Sequence, residues 1–124
     1  MPARTPEEVD RCLAEAFRAN DLEAIVALYE PGATFVVQPG QPVMGVAAIR
    51  AAIQGFLAMK PDLHLDVARV IRSDDMALLF STWTLTGTGP DGKPLRMSGK
   101  GVEVVRRQSD GTWRYVIDDP YAIA

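Results

Sequence analysis

Cysteine and histidine occur once each in these 124 residues, as Cys12 and His64. A single cysteine excludes an internal disulfide and a thiolate zinc cage. A single histidine leaves no evident ligand set for a metal, so none is expected. Basic residues are also few, 13 against 16 acidic ones for a net charge of -3, and they form no run or stripe. A nucleic-acid partner or an anionic membrane surface is therefore not expected. No apolar stretch approaches the length of a membrane span. The opening "MPARTPEEVD" has no apolar core after its arginine, so it does not read as a signal peptide, and the cytoplasm is the expected compartment.

What is present is an ordinary globular composition, 48% hydrophobic and 23% charged, at a length that fits one domain over residues 1–124. "TPEEVDRCLAEAFRAN" reads as a helix opened by a capping box of Thr5 and Glu8, with Pro6 at its first position. Val9, Leu13, Ala16 and Phe17 fall on one face of it. Asn20-Asp21 breaks that helix and caps a second through "LEAIVALY", which Pro31-Gly32 ends. "ATFVV" is a short strand and "QPGQPVMG" a loop. "VAAIRAAIQGFLAMK" is a third helix that buries Ile49, Ile53, Phe56 and Leu57 and stops at Pro61. Four strands follow, over Leu63–Arg72, Met76–Thr86, Leu95–Arg107 and Thr112–Asp118, with turns at Asp74-Asp75, Pro90-Asp91-Gly92 and Asp110-Gly111. Helices followed by hairpins predict an α+β domain with helices on one face of an antiparallel sheet.

Few residues carry chemistry. "GTGPDG", residues 87–92, matches the dinucleotide fingerprint letter for letter, but a strand follows it where a helix is required; it reads as a hairpin loop. His64 and Asp66 point the same way from one strand, and an exposed polar face explains them as well as a general base does. Glu103 is different, a carboxylate among valines in "GKGVEVVRR". It either lines a pocket or forms a surface ion pair with Arg107 or Arg114. Alternation puts Asp118 or Asp119 on the same face as Glu103, and the sequence leaves open which. The alternative for both aspartates is a strand end turning into solvent, with Pro120 ending the pairing.

"NDLEAIVALYEPGATFVVQPGQPVMGVAAIR" resembles the ketosteroid isomerase superfamily, also called SnoaL-like or nuclear-transport-factor-like, and "GTWRYVIDDPY" resembles the closing strand of many members. The resemblance covers nearly the whole chain. It implies a cone-shaped fold ordered helix, helix, strand, helix, four strands, with three N-terminal helices on a curved, mixed, mostly antiparallel sheet. That fold hosts isomerases, cyclases, dehydratases and epoxide hydrolases, so it does not settle the reaction. The steroid isomerases use a carboxylate base, a tyrosine and a neutral acid. These positions fall on Gln38, on Leu13 (or Cys12) and on Glu103. Gln38 cannot take a proton and Leu13 cannot donate one, so steroid isomerisation by that route is not expected.

The expectation is therefore a protein with a pocket for a small, mainly apolar carbonyl or hydroxyl compound, capable of cofactor-free acid–base chemistry. Glu103 and Asp118 are expected to carry any catalysis. Gln38 at the mouth, Asp119, Tyr29, Phe56, Trp83 and Met97 are expected to touch the ligand, the aromatic residues and Met97 as core or pocket wall. The competing expectation is a module without catalysis whose sheet serves association. "MALLFSTWTL" is apolar on both faces, which predicts that a second copy covers the outer face of the sheet, giving a homodimer.

Overall fold

In the computed structural model, α1 (Pro6–Arg18) begins where Pro6 sits at the first helical position and Thr5 is extended. The expected capping box does not form. The exposed Thr5 hydroxyl makes no cap bond, and Glu8 Oε1 instead accepts from the Arg4 backbone N–H at 2.8 Å. Val9, Leu13, Ala16 and Phe17 are buried as their spacing predicts, and Asp10 is buried with them. The structure describes residues 2–123, so Met1 and Ala124 of the expected domain lie outside the described residues.

Asp21 caps α2 (Leu22–Val26), its carboxylate accepting from the Ala24 N–H at 3.1 Å. This helix ends before the predicted Tyr29, because the chain there is drawn into a sheet: Leu28 C=O accepts from Tyr115 N–H at 2.7 Å and Tyr29 pairs with Tyr115. β1 (Tyr29–Gln38) thus starts earlier than "ATFVV" and runs through Pro31-Gly32 with an irregular register. The predicted loop after it holds a further strand, β2 (Gln41–Met44). Gln38 pairs with Gln41, leaving Pro39 and Gly40 as the turn, with Gly40 at φ 74°, where glycine suffers no Cβ clash. α3 (Val46–Leu57) follows and buries Ile49 and Ile53.

β3 (Asp62–Ser73), β4 (Met76–Thr88), β5 (Pro94–Arg107) and β6 (Trp113–Ile123) form the predicted hairpins. β6 does not end at Asp118; pairing continues past Pro120, with Lys100 opposite Ile123. The six strands lie in the order β2-β1-β6-β5-β4-β3, with β1 and β6 parallel and every other pair antiparallel. The predicted element order thus gains one strand. Register shifts at Val67/Arg69, Lys100/Val102 and Val104/Val105 interrupt the pairing, and such bulges bend a sheet. The helices fill the concave side of this curved, mixed sheet, where Leu79, Trp83, Leu85 and Val105 are buried.

Candidate active site

Strand alternation turns Gly101, Glu103 and Val105 of β5 toward the helices. Glu103 is only 3% exposed. Its carboxyl folds back over Gly101, where a Cβ would lie 2.8 Å from Oε2, and that oxygen accepts from the Ser81 hydroxyl of β4 at 2.8 Å. One step along, Gly99 leaves room for the Trp83 ring, which a Cβ would meet at 2.9 Å. The Trp83 indole N–H donates to Pro120 C=O at 2.7 Å, so the ring is fixed as a wall.

The choice between Asp118 and Asp119 is made by a bulge. Tyr115 faces inward, and simple alternation from it would bring in Ile117 and Asp119. Tyr115 pairs with Val105 but Ile117 pairs with Val104, so one extra β6 residue enters between them. The alternation resets, Ile117 is turned out, and Asp118 is buried opposite Glu103. Asp119 does not line the cavity; its Oδ1 accepts from the Tyr121 backbone N–H at 3.0 Å.

Two phenols complete the cluster. Tyr29, at the start of β1, donates to Asp118 Oδ2 at 2.6 Å, and Tyr115 donates to Asp10 Oδ1 at 2.5 Å. Their ring centroids are 4.9 Å apart. Tyr29 is thus more than the wall residue expected from sequence. Asp10 and Tyr115 had not been anticipated. A signal for Asp10 was available: it shares the helical face of Leu13 and Phe17, so it interrupts a buried stripe.

Among the described residues, no basic side chain pairs with these acids. Arg106 is bound to Glu30 at 2.9 and 3.1 Å, and Arg107 is paired with Asp75. The surface ion pair considered for Glu103 is not formed. Burial, with Asp10 and Asp118 nearby, pushes the Glu103 carboxyl up to about 11. Burial raises Asp118 to about 7 against the opposing hydrogen bond from Tyr29. Burial likewise raises Asp10 and holds Tyr29 and Tyr115 far above the usual phenol range, so both phenols remain donors. Among the described residues, no three His, Cys, Asp or Glu side chains are disposed to hold a metal ion.

The cluster forms the polar floor of a cavity of about 70 Å³, whose walls include Phe35, Phe56, Leu65, Trp83, Met97 and Tyr121. Phe56, Trp83 and Met97 line this cavity. Gln38 does not; it is exposed at the end of β1, beside the β1–β2 turn, and lines no part of the cavity. Leu13 lines the wall, whereas Cys12 faces a wider groove of about 640 Å³ outside α1, which contains none of the clustered acids. His64 is exposed and sits 3.2 Å from Asp62, not from Asp66. "GTGPDG" spans the last two residues of β4 and the β4–β5 turn. Among the described residues, no helix is long and apolar enough to cross a membrane.

An apolar cavity with acids at its floor, enclosed by helices and a curved mixed sheet, defines a class of α+β pocket proteins. The chain belongs to the SnoaL-like domain family, which matches residues 9–116. No curated protein matches it. Among solved structures it is similar to a candidate calcium/calmodulin-dependent protein kinase type II association domain from Thiobacillus denitrificans, with 22% identity over 100% of this chain and 99% of the other, at a TM-score of 0.79. A ketosteroid isomerase-like protein from Erwinia carotovora atroseptica shares 19% identity over 90% and 88% of the two chains, at 0.79. A candidate dehydratase of the NTF2-like family from Streptomyces avermitilis shares 17% over 95% and 94%, at 0.80. At these identities the likeness establishes the fold, and such folds carry unrelated activities.

Proposed function

We propose that this protein binds a small, mainly apolar carbonyl or hydroxyl compound and moves protons on it without a cofactor, in a reaction of the isomerase, cyclase or dehydratase type. The observation that carries this reading is the pairing of Glu103 with Asp118 across β5 and β6 at the floor of an apolar cavity. Their surroundings give them different proton affinities. Glu103 stays protonated through neutral pH and can donate to a ligand oxygen, while Asp118 loses its proton near pH 7, as suits a general base. The proton leaving carbon goes to Asp118, and the proton reaching oxygen comes from Glu103. Steroid isomerisation through a base at position 38 is not part of this reading, since Gln38 is both unable to ionise and outside the cavity.

The narrow cavity favours one competing reading, a module of the same fold without catalysis. About 70 Å³ is well below the roughly 300 Å³ at which drug-sized ligand pockets begin. The experiment is to incubate the protein in deuterium oxide with a panel of small ketones and follow loss of the α-protons by NMR. Exchange that Asp118→Asn abolishes supports catalysis. Absence of exchange, together with no ligand-induced shift at Trp83 or Met97, favours the module.

A homodimer through the outer face of the sheet belongs to the same proposal. Ile71, Leu78, Val104 and Ile117 align across four strands, with Phe80 and Val102 in the next row. Ile71 and Ile117 are 41% and 43% exposed, and a second copy related by a two-fold axis would cover them.

A further inference from the structure

The cavity floor holds more acid than the proposed chemistry uses. One donor and one acceptor are needed, and Glu103 and Asp118 fill those roles. Asp10 is a third carboxyl, wholly buried, and no cation touches it. Its Oδ1 accepts from Tyr115, but its Oδ2 has no donor. Glu103 mirrors it: Oε2 accepts from Ser81, and Oε1 has no donor. The two carboxyls lie within hydrogen-bond reach of each other, across the contact between α1 and β5. Two carboxylates cannot donate to one another, and buried polar atoms left without partners are rare. One proton between Asp10 and Glu103 satisfies both orphaned oxygens.

We propose that, in the ligand-free protein, Asp10 and Glu103 form one proton-sharing unit, in which Asp10 is a positioning residue that keeps Glu103 neutral, Tyr115 fixes Asp10, and the Glu103 O–H turns from Asp10 to the ligand oxygen when a ligand binds. The bonding is asymmetric in the required sense. Asp10 receives two donors, Tyr115 and the shared proton, so it is the ionised partner, while Glu103 holds the proton. The groups facing the unit are Ser81 from β4, Tyr115 and Asp118 from β6, and Tyr29 from β1. None is basic, so no ion pair competes for either carboxyl. Burial raises the proton affinity of both acids, as a shared proton in apolar surroundings requires.

The proposal rests on Glu103 being the donor of the functional reading, but its test needs no substrate. Carboxyl-carbon NMR on the ligand-free protein would follow Asp10, Glu103 and Asp118 with pH. In the wild type, Asp10 and Glu103 should respond to the same midpoints, as one coupled pair. In Asp10→Asn the amide can donate to the charged form of Glu103, so the Glu103 midpoint should fall by about one pH unit or more, a tenfold loss of proton affinity. If that variant does not fold, Tyr115→Phe replaces it; losing the donor to Oδ1 should draw the proton toward Asp10 and raise the Asp10 midpoint. Independent titration of the two acids, or midpoints unmoved in the variant that folds, overturns the proposal. Failure of the ketone exchange alone leaves it standing, and failure of the titration leaves the exchange result to be judged separately.

Discussion

Replacing Glu103 by glutamine should stabilise the protein at neutral pH, and the gain should grow as pH rises. The Glu103 carboxyl has an ordinary value of 4.5 and is held at about 11 in the folded protein. At pH 7 the unfolded chain carries it ionised, so folding must take up a proton about two and a half pH units above its natural midpoint. At about 1.4 kcal/mol per unit, that opposes folding by about 3–4 kcal/mol. Stability from a group raised in this way is fully present below the ordinary carboxylate range and is lost as pH climbs toward the folded midpoint. Glutamine takes up no proton. Its amide can still accept from Ser81 and donate to Asp10, with a hydrogen bond weaker than the acid's by about 1 kcal/mol. The net gain is about 2–3 kcal/mol at pH 7 and near zero at pH 5. Urea unfolding of both proteins at pH 5, 6, 7 and 8 measures it. A Glu103→Gln protein that is less stable at pH 7, or whose offset does not change with pH, would refute the reasoning.

Tyr29→Phe removes the hydrogen bond that favours ionised Asp118, so the Asp118 midpoint should rise above about 7 and stability at pH 8 should fall by about 1–3 kcal/mol, read by NMR titration and urea unfolding. Gly101→Ala places a methyl 2.8 Å from Glu103 Oε2 and 3.1 Å from the Asp119 carbonyl, and should cost about 1–3 kcal/mol; an unchanged thermal midpoint would contradict the close packing. Gln38→Asp should create no α-proton exchange, because the new carboxylate stands in solvent, and any gain in the deuterium assay would show position 38 in reach of the ligand. Leu78→Lys should convert the dimer to monomer in light scattering at micromolar concentration; a wild type already monomeric there removes the dimer from the proposal.

The sequence by itself determined the α+β class, the strands of the second half and the buried faces of α1 and α3, because these follow from local periodicity and from turn residues at fixed places. It also singled out Glu103, since a carboxylate among alternating valines must face inward or be paired. Its errors have physical causes. Leu28 and Tyr29 suit a helix locally, and only bonding to Tyr115 ends α2 early and draws Tyr29 into β1. "QPGQPVMG" reads as a loop until Gly40 at positive φ folds Gln41–Met44 back onto β1. Which aspartate faces inward depends on a one-residue bulge beyond Tyr115, which appears only in the pairing of β6 with β5. The cluster itself was beyond local reading. Asp10 meets Tyr115 across 105 residues and Tyr29 meets Asp118 across 89, so the site exists only where α1, β1, β5 and β6 converge. Sequence supplied the acids, and the tertiary structure decided that they share one buried cavity floor without a basic partner among the described residues, which is what raises their proton affinities.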